Sequence, residues 1–328
     1  MVWARSPGHY EVWYTTLSHR ASSTGFWIRY TLEAPTHGEA YAQLWFARFD
    51  AHDPAATFGI NRRFPISQLR SETSPFLLAI GDAYLRHDAM QGSLAGSGHE
   101  VRWDLRWRPA TRTVRFLPDL AYHSNLATTK VHSPNQDIRL SGEIVVDGQR
   151  YAMDGDAAGQ THVWGRKHAY SWGWAHCNSF DPPGASLEVL SVRLQRASVI
   201  LPTLTMFTLF LDGEQFAFRQ PWAMPFARSH YATGTYIFSG AHATARIEGS
   251  FSCRPEDMIL AEYVDPDGDP AFCHNSCCAA AEVKVWRRSP FVGRWREHRR
   301  LATATGGHFE WGGRAGDVLR VKKSHEAV

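Results

Sequence analysis

Val101–Arg108, VRWDLRWR, sets Val101, Trp103, Leu105 and Trp107 against Arg102, Asp104, Arg106 and Arg108. A period of two sends alternate side chains to opposite faces of an extended chain, so this stretch predicts a β-strand with one dry face. The habit recurs on both sides of it. Phe26–Leu32 (FWIRYTL) and Ala40–Phe49 (AYAQLWFARF) are aromatic and β-branched runs around a Pro/His/Gly turn, which predicts a hairpin. Ile138–Val146 and Gln149–Met153 flank Asp147-Gly148, a pair suited to a type I′ turn. Downstream, Ser186–Gln195, Leu204–Leu211, Glu214–Arg219, Tyr231–Phe238, Ala243–Cys253, Glu262–Val264 and Glu282–Arg287 read as strands. Asp212-Gly213, Ser239-Gly240 and Asp267-Gly268 punctuate them as turns. A short helix is expected only within Ser67–Leu78, and Gly92–Gly98 (GSLAGSG) reads as a loop.

Many strands at short spacing predict an all-β protein built as barrels or sandwiches, and closing the sheets removes exposed edges. A chain of 328 residues suits two units. The turn-rich Asp154–Gly159 places the expected division between residues 1–158 and 159–328.

Hydrophobic residues make up 44% of the chain and aromatic residues 13%, enough for a sizeable core. Thirty-five Lys and Arg nearly balance thirty-two Asp and Glu, and the one basic run, Arg294–Arg300, sits among scattered acids. A nucleic-acid-binding stripe would need a denser, one-sided cluster. The most apolar run, Val199–Leu211, contains Pro202 and is too short to cross a bilayer as a helix. MVWARSPGHYEVWY has no secretory pattern, and five cysteines do not form a disulfide framework, so a soluble cytoplasmic protein is expected.

His162–Phe180, HVWGRKHAYSWGWAHCNSF, concentrates aromatic rings beside hydrogen-bonding groups. If Trp172–Phe180 is one strand, Trp172, Trp174, His176, Asn178 and Phe180 share a large amphipathic face, while Gly173, Ala175, Cys177 and Ser179 share a small one. The large face suits the wall of an apolar ligand cavity, with His176 and Asn178 as donors. Glu188 shares parity with Leu190, Val192 and Leu194, where desolvation would raise its pKa and suit it to general-acid work. Both also have a plain structural reading, His176 as a satisfied core histidine and Glu188 as a partner of Arg193 or Arg166. His162, Trp164, Arg166 and His168 again share parity.

Phe272–Cys278 (FCHNSCC) carries Cys273, His274, Cys277 and Cys278, but not with the paired spacing of a zinc knuckle, so buried thiols and no metal are expected. His274 and Asn275 read as polar groups at a strand mouth after the Asp265–Gly268 turn. The chain has no G-x-S-x-G, H-E-x-x-H, P-loop or dinucleotide-binding signature, and no cofactor is implied.

Taken in order, HYEVWY (His9–Tyr14), GFWIRYTL (Gly25–Leu32), LWFARFD (Leu44–Asp50), Trp103-Asp104-Leu105, Asp147-Gly148, HVWGR (His162–Arg166), Trp172–Phe180 and YVDPDGDPAFCHNS (Tyr263–Ser276) span nearly the whole chain. The set resembles the lipocalin-like proteins that include tocopherol cyclase, the acyclic-carotenoid hydratases and the fungal decalin-forming Diels–Alderases. The resemblance implies two tandem antiparallel lipocalin-like (calycin) barrels and cofactor-free chemistry on isoprenoid or polyketide-like molecules. The hydratase branch carries an Asp-His pair before its W-G dipeptide; here His162 matches the histidine, but Thr161 stands where the acid should be.

Two expectations of different class follow. One is a cyclase, isomerase, hydratase or pericyclase with Trp164, Trp172 and Trp174 as lining. In it His176 or Glu188 is the acid, and His162, Arg166, Asn178, His274 and Asn275 orient the substrate. The other is a carrier of hydrophobic ligands using the same rings for burial. An enclosed cavity on which titratable groups converge favours the first.

Overall fold

The structure is a computed structural model that describes residues 1–124, 127–220, 222–289, 293–314, 322–323 and 325–326. It is almost entirely antiparallel strand, rolled into two nearly closed barrels. In the first, the path runs through Phe58–Pro65, Tyr41–Asp50, Thr24–Ala34, His9–His19, Gln149–Gly165, Thr129–Val146, His99–Trp107 and Ala89–Gly96 to the short strands between Leu69 and Arg86. The second runs through Glu214–Phe218, Leu204–Leu211, Ala185–Arg193, Ser171–Cys177, Arg296–Gly313, Pro270–Arg287, Ala245–Ser252, Thr235–Ala241 and Ala227–Ala232. Ile259–Val264 pairs with the start of Pro270–Arg287. Among the described residues no helix is long and apolar enough to cross a membrane.

Strands with one wet face follow the alternation. Val101, Trp103, Leu105 and Trp107 are buried inside the first barrel, while Arg102, Arg106 and Arg108 are exposed. Asp147 and Gly148 take φ values of 51° and 82° between the paired Val146 and Gln149, the left-handed pair a type I′ turn requires. Asp212-Gly213 repeats the device between Leu211 and Glu214.

Three local expectations fail. Ser67–Leu78 holds no α-helix; after one 3₁₀ turn at Ile66–Gln68, Leu69–Thr73 and Phe76–Ile80 form a hairpin that puts Leu78 and Ile80 into the barrel core. Gly92–Gly98 is not a loop, since Ala89–Gly96 is a strand. A Cβ on Gly92 would lie 2.5 Å from the Trp103 ring, so the glycine serves ring packing. Ser239-Gly240 lies inside Thr235–Ala241 for a similar reason, with Phe207 and Phe218 over Gly240, and the turn falls earlier, at Ala232–Thr235. The expected 158/159 division falls inside Gln149–Gly165, and the chain passes between sheets at residues 166–170.

Three apolar clusters result. One fills each barrel, and a third, including Tyr10, Trp27, Trp45, Trp172, Trp174 and Met206, fills the layer between them. Each such side chain contributes about 1.5–3 kcal/mol when fully buried. The strands bordering this layer are covered on both sides; in Thr24–Ala34 every residue is buried. That is why FWIRYTL has no polar stripe, and why Arg29 and Glu33 end up inside the molecule. The barrels touch backbone to backbone at Gly25, where a Cβ would stand 2.1 Å from the Cys277 carbonyl oxygen.

Candidate active site between the barrels

The layer between the barrels encloses a cavity of about 690 Å³. Its wall follows from parity. In His9–His19, Trp13 and Leu17 point into the first barrel and Tyr10, Val12 and Tyr14 out of it, into the layer. In Thr24–Ala34, Phe26, Ile28 and Tyr30 point in, and Trp27 and Arg29 reach the cavity. From the second barrel, Ala175 and Cys177 go to its own core, whereas Trp172 and Trp174 face the cavity with Leu190 and Met206. The small face of the Ser171–Cys177 strand thus seats against its barrel core, with Gly173 under the Tyr231 ring, and of the large face Trp172 and Trp174 line the cavity.

Two carboxyl groups line the cavity, the exposed Asp269, paired with Lys167, and the buried Glu310. Glu310, near the end of Arg296–Gly313, pairs laterally with Trp174 on one side and Asn275 on the other. Gly312 makes its setting possible. The Trp172 indole lies where a Gly312 Cβ would be, 2.1 Å from the ring, and donates its Nε1–H to Glu310 Oε1 at 3.1 Å. Asn275 Nδ2 donates to Oε2 at 3.2 Å. Burial raises the Glu310 pKa above the ordinary glutamate value; the bonds from Trp172 and Asn275 and the Arg29 charge offset only part of that.

A histidine–aspartate pair completes the polar set. His168 lies between the sheets in the 166–170 link, its ring stacked with Tyr10 at 4.6 Å, Trp172 at 5.2 Å and Tyr263 at 5.4 Å. Its Nδ1 is 2.6 Å from Asp265 Oδ1, which also accepts the His168 backbone N–H at 3.0 Å. Arg314 ion-pairs with Asp265 Oδ2 at 2.7 Å and donates to the His168 carbonyl at 2.9 Å. Burial alone would raise the Asp265 pKa, but His168 and Arg314 hold it below the ordinary aspartate value. An ionised Asp265 assigns the proton of neutral His168 to Nδ1 and leaves the lone pair on Nε2. Burial lowers the His168 pKa, Asp265 opposing in part, so the ring is a neutral base. Arg29 lies 4.2 Å over the Tyr263 ring, and burial pushes the Tyr10 and Tyr14 hydroxyls upward, so both stay protonated donors.

Of the residues expected at the site, Trp172 and Trp174 line the cavity and Asn275 holds Glu310. The others lie elsewhere. His176 and Glu188 are fully buried behind Trp174, 3.3 Å apart, with Glu188 Oε2 accepting the Trp174 indole N–H at 2.9 Å. A Cβ on Gly159 would meet the His176 ring at 2.7 Å, so the pair is packed between barrels with no room for substrate. The strand ends at Cys177, which breaks the parity beyond it. Asn178 donates to Asp137 and the Ala158 carbonyl, and Phe180 joins the core of the second barrel. His162 and Trp164 alternate with the cavity-lining Val163 and so face into the first barrel, where His162 stacks on Trp13 at 3.8 Å and bonds Glu11 at 2.9 Å. Arg166, beyond the strand end, is exposed. His274 stacks on Trp311 at 4.4 Å, buried in mid-strand, because up to the register shift after Ser276 the odd positions of this segment face the layer.

Glu310, Asp265, Tyr10, Tyr14 and Arg29 were not singled out from sequence. A glutamate between aromatics in HFEWGG and an arginine inside FWIRYTL were the available signals. The acid missing beside His162 is supplied across the sheet by Glu11, which also accepts the Val2 and Trp3 backbone N–H groups. That cluster lies under the N-terminal segment, away from the cavity. Burial raises the Cys273, Cys277 and Cys278 thiols, the last to about 12. Among the described residues no group of three or more His, Cys, Asp or Glu is arranged to hold a metal ion.

The profile of the tocopherol cyclase-like family matches residues 72–313. An uncharacterised protein of Mycobacterium tuberculosis is 25% identical over 293 residues, covering 87% of this chain and 84% of the relative. Two crystal structures share the fold. An AttH-type protein of Nitrosomonas europaea has a TM-score of 0.58 at 12% identity, covering 94% of this chain and 93% of its own. Kievitone hydratase of Nectria haematococca has a TM-score of 0.54 at 7% identity, covering 93% and 89%.

Proposed function

Because the chain belongs to the tocopherol cyclase-like family, and because its cavity brings a buried carboxylic acid and a histidine base to a single aromatic space, we propose that it is a cofactor-independent cyclase or hydratase. The substrate class is a hydrophobic isoprenoid or polyketide-like molecule carrying a carbon–carbon double bond. Protonated Glu310 gives its proton to one alkene carbon. The cation left on the other carbon is stabilised by the faces of Trp27, Trp172 and Trp174, and the dry wall keeps stray water from it. An oxygen then forms the C–O bond and yields its proton to His168 Nε2. It is the substrate's own hydroxyl in ring closure, or a water in hydration. Passing that proton back to Glu310 through solvent restores the enzyme, so the net change is addition of O–H across C=C. Asp265 and Arg314 hold the imidazole in its base form, and Tyr10, Tyr14 and Arg29 can donate to the substrate oxygen.

The observation that carries this reading is Glu310, held on the cavity wall by two donors with its pKa raised. The test is incubation in D₂O with a panel of prenylated phenols and quinols, followed by mass spectrometry. Cyclisation yields an isomer with one deuterium on a non-exchangeable carbon; hydration yields the mass of D₂O added. A carrier role rests on the same apolar wall. Panel members that bind tightly and are recovered unchanged would establish the carrier and defeat the enzyme.

A further inference from the structure

Three segments that contribute lining residues to the cavity, 117–121, 194–204 and the turn at Met224, also carry most of the large apolar side chains exposed among the described residues. Trp222 is 73% exposed, Leu120 70% and Phe226 63%, and Val199, Ile200 and Leu204 are exposed as well. Each is tied to the mouth by a residue that lines it. Leu120 precedes the lining Ala121, Trp222 and Phe226 flank the lining Met224, and Leu204 lines the cavity itself. Val199 and Ile200 pair across a hairpin with the lining Arg196 and Gln195. Of the exposed large hydrophobics among the described residues, only Val2, Ile237 and Val264 fall outside this rim. An apolar patch of this kind, continuous with an apolar cavity, marks a contact surface.

The charge on the segments that carry these side chains is mostly of one sign, and the exposed acid Asp269, elsewhere on the cavity edge, is paired with Lys167, as is its exposed neighbour Asp267. Residues 112–124, 193–204 and 219–230 contain Arg112, Arg115, Arg193, Arg196, Arg219 and Arg228. Their one acid is Asp119, already paired with Arg115 at 3.0 Å. The chain as a whole is nearly balanced, so this excess is local. Arg112 lies over the Phe210 ring and Arg193 over Tyr170, each stem covering apolar surface while the head stays available.

We infer that the rim is a docking surface for an anionic lipid bilayer, and that the cavity mouth opens onto that surface. The exposed indole of Trp222 and phenyl of Phe226 enter the headgroup boundary, the arginines meet lipid phosphates, and a hydrophobic substrate passes from bilayer to cavity without crossing water. The contact is peripheral and reversible, since short loops supply it. It depends on the mouth and not on the reaction, so it stands or falls separately from the role of Glu310.

The test is co-sedimentation of the full chain with vesicles of phosphatidylcholine alone and of phosphatidylcholine with about one third phosphatidylglycerol. Binding is expected to the anionic vesicles, at least tenfold above the neutral ones, and is expected to weaken as salt is raised. The double variant Trp222→Ser, Phe226→Ser should bind at least tenfold more weakly with an unchanged melting temperature, and Arg196→Glu with Arg219→Glu should remove the preference for anionic lipid. Absence of vesicle binding by the unaltered protein overturns the inference, as does binding by both double variants equal to that of the unaltered protein. So does a dimer in sedimentation equilibrium that the Trp222/Phe226 change dissolves, which would assign the rim to a second copy of the chain.

Discussion

Glu310→Gln isolates the proton from the architecture that holds it. Glutamine keeps the side-chain volume, so the indole of Trp172 stays over Gly312 and the cavity keeps its shape. Its one carbonyl oxygen can accept from Trp172 or from Asn275, now 3.1 and 3.2 Å from separate carboxylate oxygens, but its amide cannot accept from the other. Rotating the Asn275 amide presents its oxygen instead, at the expense of the long contact from the Cys277 thiol at 3.7 Å. The structural cost is therefore about 1 kcal/mol, one ordinary hydrogen bond rather than a stranded buried donor. The chemical cost is larger, because a general acid supplies roughly 10²–10⁴-fold, or about 3–5 kcal/mol of barrier. Two measurements read the two numbers apart. Binding, followed by quenching of indole fluorescence with Trp172 and Trp174 in the wall, should change less than about tenfold on those figures. The single-turnover rate of deuterium incorporation should fall at least a hundredfold. If Glu310→Gln turns over within threefold of the unaltered protein, the proton comes from elsewhere and the assignment is wrong.

The pH profile should be bell-shaped. Glu310, with its pKa raised, donates only below that pKa, so the alkaline limb belongs to it; His168, with its pKa lowered, accepts only above its own, so the acid limb belongs to it. A His168→Gln variant that keeps the acid limb would refute that assignment. Gly312→Ala should displace the Trp172 indole, since the new methyl lies 2.1 Å from the ring; weaker ligand binding with little loss of melting temperature is the expected result. His176→Ala should do the reverse, costing roughly 2–4 kcal/mol through a cavity left in a packed layer while turnover persists; loss of turnover in a well-folded variant would restore His176 to the site. Glu11→Gln should destabilise by about 2–3 kcal/mol at neutral pH. Its folded pKa lies below the ordinary 4.5 because the bonds from His162, His9 and Val2 outweigh burial, so the stabilisation is complete above that value and fades as pH falls beneath it. A thermal-melting difference that persists unchanged at pH 3 would contradict this.

How far the sequence could be read depended on how many faces of each strand meet water. VRWDLRWR has one wet face, and its alternation announces strand, barrel side and core membership together. Thr24–Ala34 and Ser171–Cys177 are covered on both faces, by their own barrel and by the neighbouring one. Parity there still sorts side chains into two sets, and Trp172 and Trp174 fall in the set that faces the cavity. It does not say where a strand stops, which side the cavity is on or how far the void extends, and each misplaced residue traces to one of those three gaps. Asn178 and Phe180 lie past the strand end at Cys177, and Arg166 lies past the end at Gly165, where the chain leaves its sheet. His162 and Trp164 obey parity but point into the first barrel. Glu188 and His176 point the right way, yet sit where the layer between the barrels closes to packing distance. Glu310 escaped because its carboxyl is held by neighbours far away in sequence, Trp172 and Asn275, and because nothing in the sequence tells that Gly312 leaves room for the Trp172 ring. A polar group in a doubly buried strand is a catalytic candidate only if a void lies on its side of the sheet, and that void is set by how two barrels meet.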